Sequence, residues 1–245
     1  SNQLHAFQAG ACEFRMTISL ILPYWKRAAA TDKSMALLAE HYPKLDMEVV
    51  IVDDGSPEPY VAPDGMPWPV KVIHLPFKET AKNPCLPINE GVAASSGDVI
   101  AISNPEILHK SPVLGQMLES IQHDKDYVLA AAWCAEQNRW HCHSSMNRSK
   151  DNDVGNYIPI GTNYHFLAMM RRKLWDECGG FDNDYREGAG YDDPDFVRRL
   201  HKVGAKFVIR DDLIVEHPRS GAHSDWPKGG HARNRAIFLS KWTPC

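Results

Sequence analysis

Side chains able to bind hydroxyls, cations or protons gather where apolar runs of this 245-residue chain stop. Pro23-Tyr24-Trp25-Lys26-Arg27 follows the run Thr17–Leu22, and Asp53-Asp54-Gly55-Ser56 follows Glu48–Val52. Asn104-Pro105-Glu106, with His109 three residues on, follows Asp98–Ser103. Later, Asp192, Asp193 and Asp195 crowd the start of a helical pattern, and His217 follows Leu213–Glu216. Any single Asp-Gly is accounted for by turn chemistry. Polar residues at three strand ends, those of the first, second and fourth strands, need a ligand to explain them, because ligands of parallel sheets bind beyond the carboxyl ends of the strands. Carboxylates at the start of a helix are favoured by its dipole, but three in four residues exceed what capping requires.

The elements that must position these residues alternate. Thr17–Leu22, Glu48–Val52, Val70–His74 and Asp98–Ser103 read as buried strands, with helices over Thr31–His41, where Thr31 is the capping candidate, Asn83–Ser95 and Val113–His123. That order specifies an α/β domain with a mostly parallel sheet flanked by helices. Beyond it come a strand at Tyr127–Trp133 and a polar stretch, Gln137–Gly161, expected to be a long functional loop. A strand at Asn163–Met170 and a helix at Arg172–Cys178 ending at Gly179-Gly180 come next. A helix at Asp192–Val203, two short strands, Lys206–Arg210 and Leu213–Glu216, and a closing helix at Ala232–Trp242 complete the pattern.

Composition fits one ordinary globular domain: 43% hydrophobic and 24% charged residues exclude a disordered or coiled-coil chain. The net charge of -4 argues against a general nucleic-acid surface. No apolar run approaches the roughly 20 residues of a membrane span. Six cysteines without a CxxC pair read as reduced thiols, so a cytoplasmic location is expected. Cys134, His141, Cys142 and His143 match no zinc-ligand spacing.

The segments ILPYWKR, VVIVDDGSPE, NEGVAASSGDVIAISNPE and GGFDNDYREGAGYDDPDFVRRL, in this order, resemble the inverting GT-A glycosyltransferases of the family-2 type over residues 16–217. The last block, with His217 and the Asn-containing tail, is also similar to the galactosyl- and N-acetylgalactosaminyltransferase branch of that fold. The resemblance implies a Rossmann-like GT-A domain over 16–217, an N-terminal extension over 1–15, and a C-terminal lid and helix over 218–245. It implies a nucleotide-diphosphate sugar donor, a UDP-sugar first, and a carbohydrate or glycoconjugate acceptor. Pro23, Tyr24, Arg27, Asp53, Asp54 and Asn104 would then bind the donor, with Tyr24 against the base, Asp53 or Asp54 on base or ribose, and Arg27 near phosphate. A divalent metal, Mn2+ or Mg2+, would be held by Glu106 and His217.

The family's DxD reads Asn104-Pro105-Glu106 here, so one of its two acids is a neutral amide. By the same resemblance Asp193 is the base that takes the acceptor's proton, Asp192 binds acceptor hydroxyls, and Asp195 caps the helix or supports Asp193. Gly179-Gly180-Phe181-Asp182 would shape the pocket. His223, His231, Arg233, Asn234 and Arg235 would belong to the lid, and Trp226 and Trp140 would stack on a sugar or pack. Asn104 also supports a second reading, a nucleotide-sugar or glycan-binding protein that has lost catalysis. A nucleotidyltransferase lacks support, since no Gly-rich basic loop follows the first strand.

Overall fold

In the computed structural model residues 16–80, 83–145, 166–218 and 228–242 are described. β1 (Ile18–Tyr24) and β2 (Met47–Asp53) are rich in Ile, Leu and Val and buried along nearly their whole length, the pattern of strands covered from both sides. They pair in parallel at the centre of the first half of the sheet, with β3 (Val70–His74) beyond β2 and β4 (Val99–Ser103) beyond β1. The register sets Tyr24 opposite Asp53 and Asp53 opposite His74, so the polar strand ends lie level along one edge. Ile18, Leu20, Ile21, Val49, Val50 and Ile51 are wholly buried. Each such aliphatic side chain contributes about 1.5–3 kcal/mol relative to exposure, which makes this half the rigid platform for the edge.

Two helices return the chain between these strands. α1 (Ala28–His41) begins directly after Arg27 with no side-chain cap, and Thr31, expected as the cap, is buried inside its first turn. α2 (Cys85–Ala93) lies so close to the sheet that a Cβ on Gly91 would stand 2.6 Å from Ile21 Cγ2, which is why the position takes glycine. At and just past its far end, Arg172 donates to the carbonyls of Gly97 at 2.7 Å and Val92 at 3.2 Å and to Ser95 Oγ at 2.9 Å.

The second half is mixed rather than parallel. β5 (Leu108–His109), α3 (Leu114–Glu119), β6 (Asp126–Cys134), β7 (Arg139–Cys142) and β8 (Leu167–Arg171) lead into α4 (Arg172–Cys178) and a 3-10 turn at Asn183–Tyr185. α5 (Asp192–Lys202), β9 (Lys206–Glu216) and α6 (Gly230–Trp242) follow. The strand order is β3-β2-β1-β4-β8-β6-β9-β5, with β7 on β6. β8 runs antiparallel to both β4 and β6, while β9 is parallel to β6.

Several local expectations change. The two strands expected at Lys206–Arg210 and Leu213–Glu216 are one strand, β9, interrupted in register: Ala130 faces Arg210, but Ala131 faces Ile214. β7 falls within the stretch expected to be loop, because Trp140 and Cys142 find cross-strand partners on β6. Residues 146–161 of that stretch, and 163–165 of the strand expected at Asn163–Met170, lie outside the described residues, as do 1–15. Cys85, Cys134, Cys142 and Cys178 are buried free thiols, as expected of them. No helix among the described residues is long and apolar enough to cross a membrane.

Candidate active site

Along the edge formed by β1 and β2 the loops are tied to one another. Asp53 directs both carboxylate oxygens at backbone: Oδ1 accepts from Ser56 N and Oδ2 from Tyr60 N, each at 2.9 Å. Ser56 Oγ in turn accepts from Lys26 N at 3.1 Å, joining the loop after β2 to the loop after β1. Gly55 sits at φ +81, and a Cβ there would lie 2.1 Å from the Pro76 carbonyl oxygen, so the loop after β3 closes directly over it. Tyr24 packs against Tyr60 with ring centroids 4.6 Å apart. Asp54 is ion-paired with Lys78. Burial dominates there and raises the Asp54 carboxyl above its ordinary range despite that partner. Of the residues expected to bind a donor here, Asp53 braces the loop, Tyr24 and Asp54 are buried at their strand ends against Tyr60 and Lys78, and Pro23 is half-buried.

The next corner joins three strand ends. Glu106, 1% exposed, pairs with Arg27 from the end of β1, and its Oε1 lies 3.3 Å from Nε2 of His217, just beyond β9. Asn104 Nδ2 stands 3.4 Å from the same His217 nitrogen. Burial alone would raise the Glu106 carboxyl; the His217 hydrogen bond and the Arg27 charge outweigh it and hold the group below its ordinary range.

His217 is held from behind. Its Nδ1 lies 2.9 Å from Nδ1 of His141 on β7, and His141 Nε2 lies 2.9 Å from Gln137 Oε1. An amide oxygen only accepts, so His141 donates to Gln137 through Nε2 and turns Nδ1 to His217 Nδ1, while His217 Nε2 faces Glu106 and Asn104. Burial first, then the neighbouring His217 and Arg139, lower His141 to about 4, so it is neutral at physiological pH.

Two buried polar atoms at this corner have no hydrogen-bond partner among the described residues, Glu106 Oε2 and Arg27 Nε. Such orphans cost free energy unless a ligand, ion or water meets them. A carboxylate oxygen of that kind, with an imidazole nitrogen and an amide beside it, fits a divalent cation bound together with phosphate oxygens. Among the described residues no group of three His, Cys, Asp or Glu side chains is placed to hold a metal without such help.

A third cluster opens α5. Phe196 stacks on Phe181 at 4.1 Å and 12°, and Phe196, Val197 and Leu200 are wholly buried, which fixes the helix against α4 and the sheet. The chain enters α5 through Gly190 at φ +63 and Tyr191 at φ +66. A left-handed tyrosine costs about 1–3 kcal/mol and persists only where its surroundings enforce it. Asp192 accepts a hydrogen bond from Asn83 Nδ2 at 2.7 Å, which ties it to the start of α2. α2 returns from the carboxyl end of β3, so the acid pair stands on the same edge as the other clusters. Asp193 keeps part of its surface, yet the protein crowded around it, followed by the Asp192 charge, pushes its carboxyl well above the usual range. Asp195 caps nothing: its Oδ1 accepts from Tyr185 Oη at 3.0 Å and Trp242 Nε1 at 2.8 Å, pinning α6.

Sequence reasoning missed the placement of His141, Lys78 and Asn83. The Cys134-His141-Cys142-His143 group forms no metal cluster; of its members, His141 joins His217. Trp140 stacks on His143 at 4.3 Å. His109 is instead buried against Tyr42, with Tyr42 Oη 2.7 Å from its Nδ1. In α6, Arg233 donates to the Asp184 carbonyl at 2.9 Å and His231 packs on Tyr191 at 4.9 Å, while Asn234 is buried. His223 and Trp226 lie outside the described residues.

A central parallel sheet with a polar carboxyl edge, a carboxylate–imidazole corner and an acidic helix start defines a glycosyltransferase-type α/β domain of the GT-A kind. The profile of Glycosyl transferase family 2 matches residues 19–179, and the chain belongs to that family. The chain is 23% identical over 121 residues to the dolichol-phosphate mannosyltransferase of Pyrococcus furiosus, a match covering 48% of this chain and 34% of the relative. Its fold is shared with a mannosyltransferase from Pyrobaculum calidifontis solved in complex with GDP-Man and Mn2+: TM-score 0.59, 16% identity, covering 86% of this chain and 60% of that one. It is also shared with residues 1–349 of S. aureus TarS: TM-score 0.61, 17% identity, covering 83% and 60%. The chain thus spans 34% to 60% of the lengths of these relatives.

Proposed function

We propose that the chain transfers a sugar from a nucleotide-diphosphate donor to an acceptor hydroxyl with inversion at the anomeric carbon. The observation that carries this is the convergence of Arg27, Asn104, Glu106 and His217 from three strand ends, with Glu106 Oε2 and Arg27 Nε buried and unmatched. A diphosphate beside this corner would give Arg27 Nε an acceptor. Tyr24 and Asp54 meet base and ribose, with Pro23 at the rim, while Asp53 holds their loop in shape. A UDP-sugar is the first donor to test, and a GDP-sugar the second, because the Pyrobaculum relative was solved with GDP-Man.

A divalent metal held by Glu106 and His217 would supply positive charge to the leaving diphosphate. Asp193 takes the acceptor proton. Its raised proton affinity makes it a stronger base than an ordinary carboxylate, and Asp192 supplies the neighbouring charge and a contact for acceptor hydroxyls. The galactosyl or N-acetylgalactosaminyl character of the sugar rests on the C-terminal motif alone. Calorimetric titration with UDP and GDP, with and without Mn2+, tests the donor reading. Micromolar binding of either nucleotide that weakens in Glu106→Gln supports it, and no binding of either under any condition contradicts it. Asn104 favours the alternative of a binding protein without turnover, which would bind the nucleotide sugar and release no nucleoside diphosphate.

A further inference from the structure

Two buried asparagines from distant parts of the chain meet on one carbonyl, and it belongs to the turn that carries the acid pair. Asn83 and Asn234 are both 0% exposed. Asn83 Nδ2 lies 2.7 Å from Asp192 Oδ1 and 3.3 Å from Gly190 O; its Oδ1 accepts from Cys85 N at 3.1 Å, and its N–H donates to Arg186 O at 3.1 Å. From α6, Asn234 Nδ2 donates to Gly190 O at 2.8 Å and to Tyr185 O at 2.9 Å. The loop fits tightly beneath it: a Cβ on Gly188 would stand 2.0 Å from Asn234 Oδ1.

We infer that Asn83 and Asn234 form a two-amide clamp on the Gly190 carbonyl and act as positioning residues that set the orientation of Asp192 and Asp193 for proton transfer. The inference rests on the reading of Asp193 as the base. Gly190 and Tyr191 both hold left-handed backbone, a conformation that an unrestrained loop leaves readily. With two N–H donors fixing the Gly190 carbonyl, the following residue enters α5 with one direction only. Without either donor the peptide is free to rotate, and the carboxylates two and three residues on rotate with it. Neither asparagine belongs to the strand-end corner of Arg27, Glu106 and His217, so the clamp governs the chemical step and leaves nucleotide binding alone.

The test compares kcat, donor KM and nucleotide affinity of the wild type with those of Asn234→Asp and Asn83→Ala, following nucleoside-diphosphate release from the accepted nucleotide sugar. Asn234→Asp keeps the volume and the Arg233 contact while replacing the donor by an acceptor. The expected result is a fall in kcat per folded molecule of about 10- to 100-fold, with donor KM and nucleotide affinity within about twofold of wild type. Asn234→Ser and Asn83→Ser carry the same comparison if the first variants do not fold; their shorter side chains cannot span both acceptors, and a smaller loss of kcat is expected. Unchanged kcat per folded molecule, or a rise in KM alone, overturns the clamp. Asp193→Asn, assayed alongside, separates the two ideas: if it retains release, the base assignment fails, whereas if it loses release while the clamp variants do not, only the clamp fails.

Discussion

The two carboxylate centres of the edge are tuned in opposite directions. Glu106 is buried with a guanidinium and an imidazole against it, and these overcome desolvation to keep it ionised. Asp193 stands beside another carboxylate, and desolvation with that like charge makes it hold a proton more tightly. On the proposed reading, the difference separates a group that would stay negative, to anchor cations around a leaving group, from one that would exchange a proton. It also links stability to pH differently: ionisation of Glu106 favours the folded state, and ionisation of Asp193 disfavours it.

The largest effect should come from the second centre. Asp193→Asn is expected to slow nucleoside-diphosphate release by about 10²- to 10⁴-fold while nucleotide affinity stays within about twofold. The raised proton affinity of Asp193 means that its ionisation costs the folded state stability above its folded pKa, a cost that vanishes below the ordinary carboxylate value of about 3.9. The Asn variant should therefore melt higher than wild type at pH 7, with the gain gone in acid. Release by the wild type should fall on the acid side at a pH above that ordinary value.

Glu106→Gln should do the reverse. Breaking a buried pair by removing one partner costs about 3 kcal/mol, measurable as a shift in denaturant midpoint at constant slope. Because the Glu106 pKa is lowered, its stabilisation is present above the unfolded value and is lost as pH falls through the folded one, so the deficit of the variant should shrink in acid. A deficit that grows in acid would contradict the contrast. Trp242→Phe, which removes one of two donors to Asp195 Oδ1, should cost only about 1 kcal/mol of stability, read as a small shift in denaturant midpoint.

Much of the first half was legible because its signals are local. A run such as Ile18–Tyr24 or Met47–Asp53 declares a buried strand by composition, and the acids of α5 stand in one ordered motif. What escaped depends on partners far along the chain. Trp140 becomes part of a strand only because Trp133 faces it, and β9 stays one strand only because β6 accepts its slip in register. His141 gains its place from His217, and Asn83 from Asp192, pairings with no local signature. Asp53 carries the composition of a ligand residue but is consumed by backbone N–H groups, an outcome of turn chemistry that the sequence equally allows.

The most direct test of the division between these centres is the pH profile of nucleoside-diphosphate release by wild type and Asp193→Asn, each saturated with the nucleotide sugar that titration shows to bind. A wild-type rate that falls on the acid side above the ordinary carboxylate range, and a variant at least about 100-fold slower with no such limb, is the predicted result. A variant that keeps both the rate and the acid limb of the wild type would contradict the account.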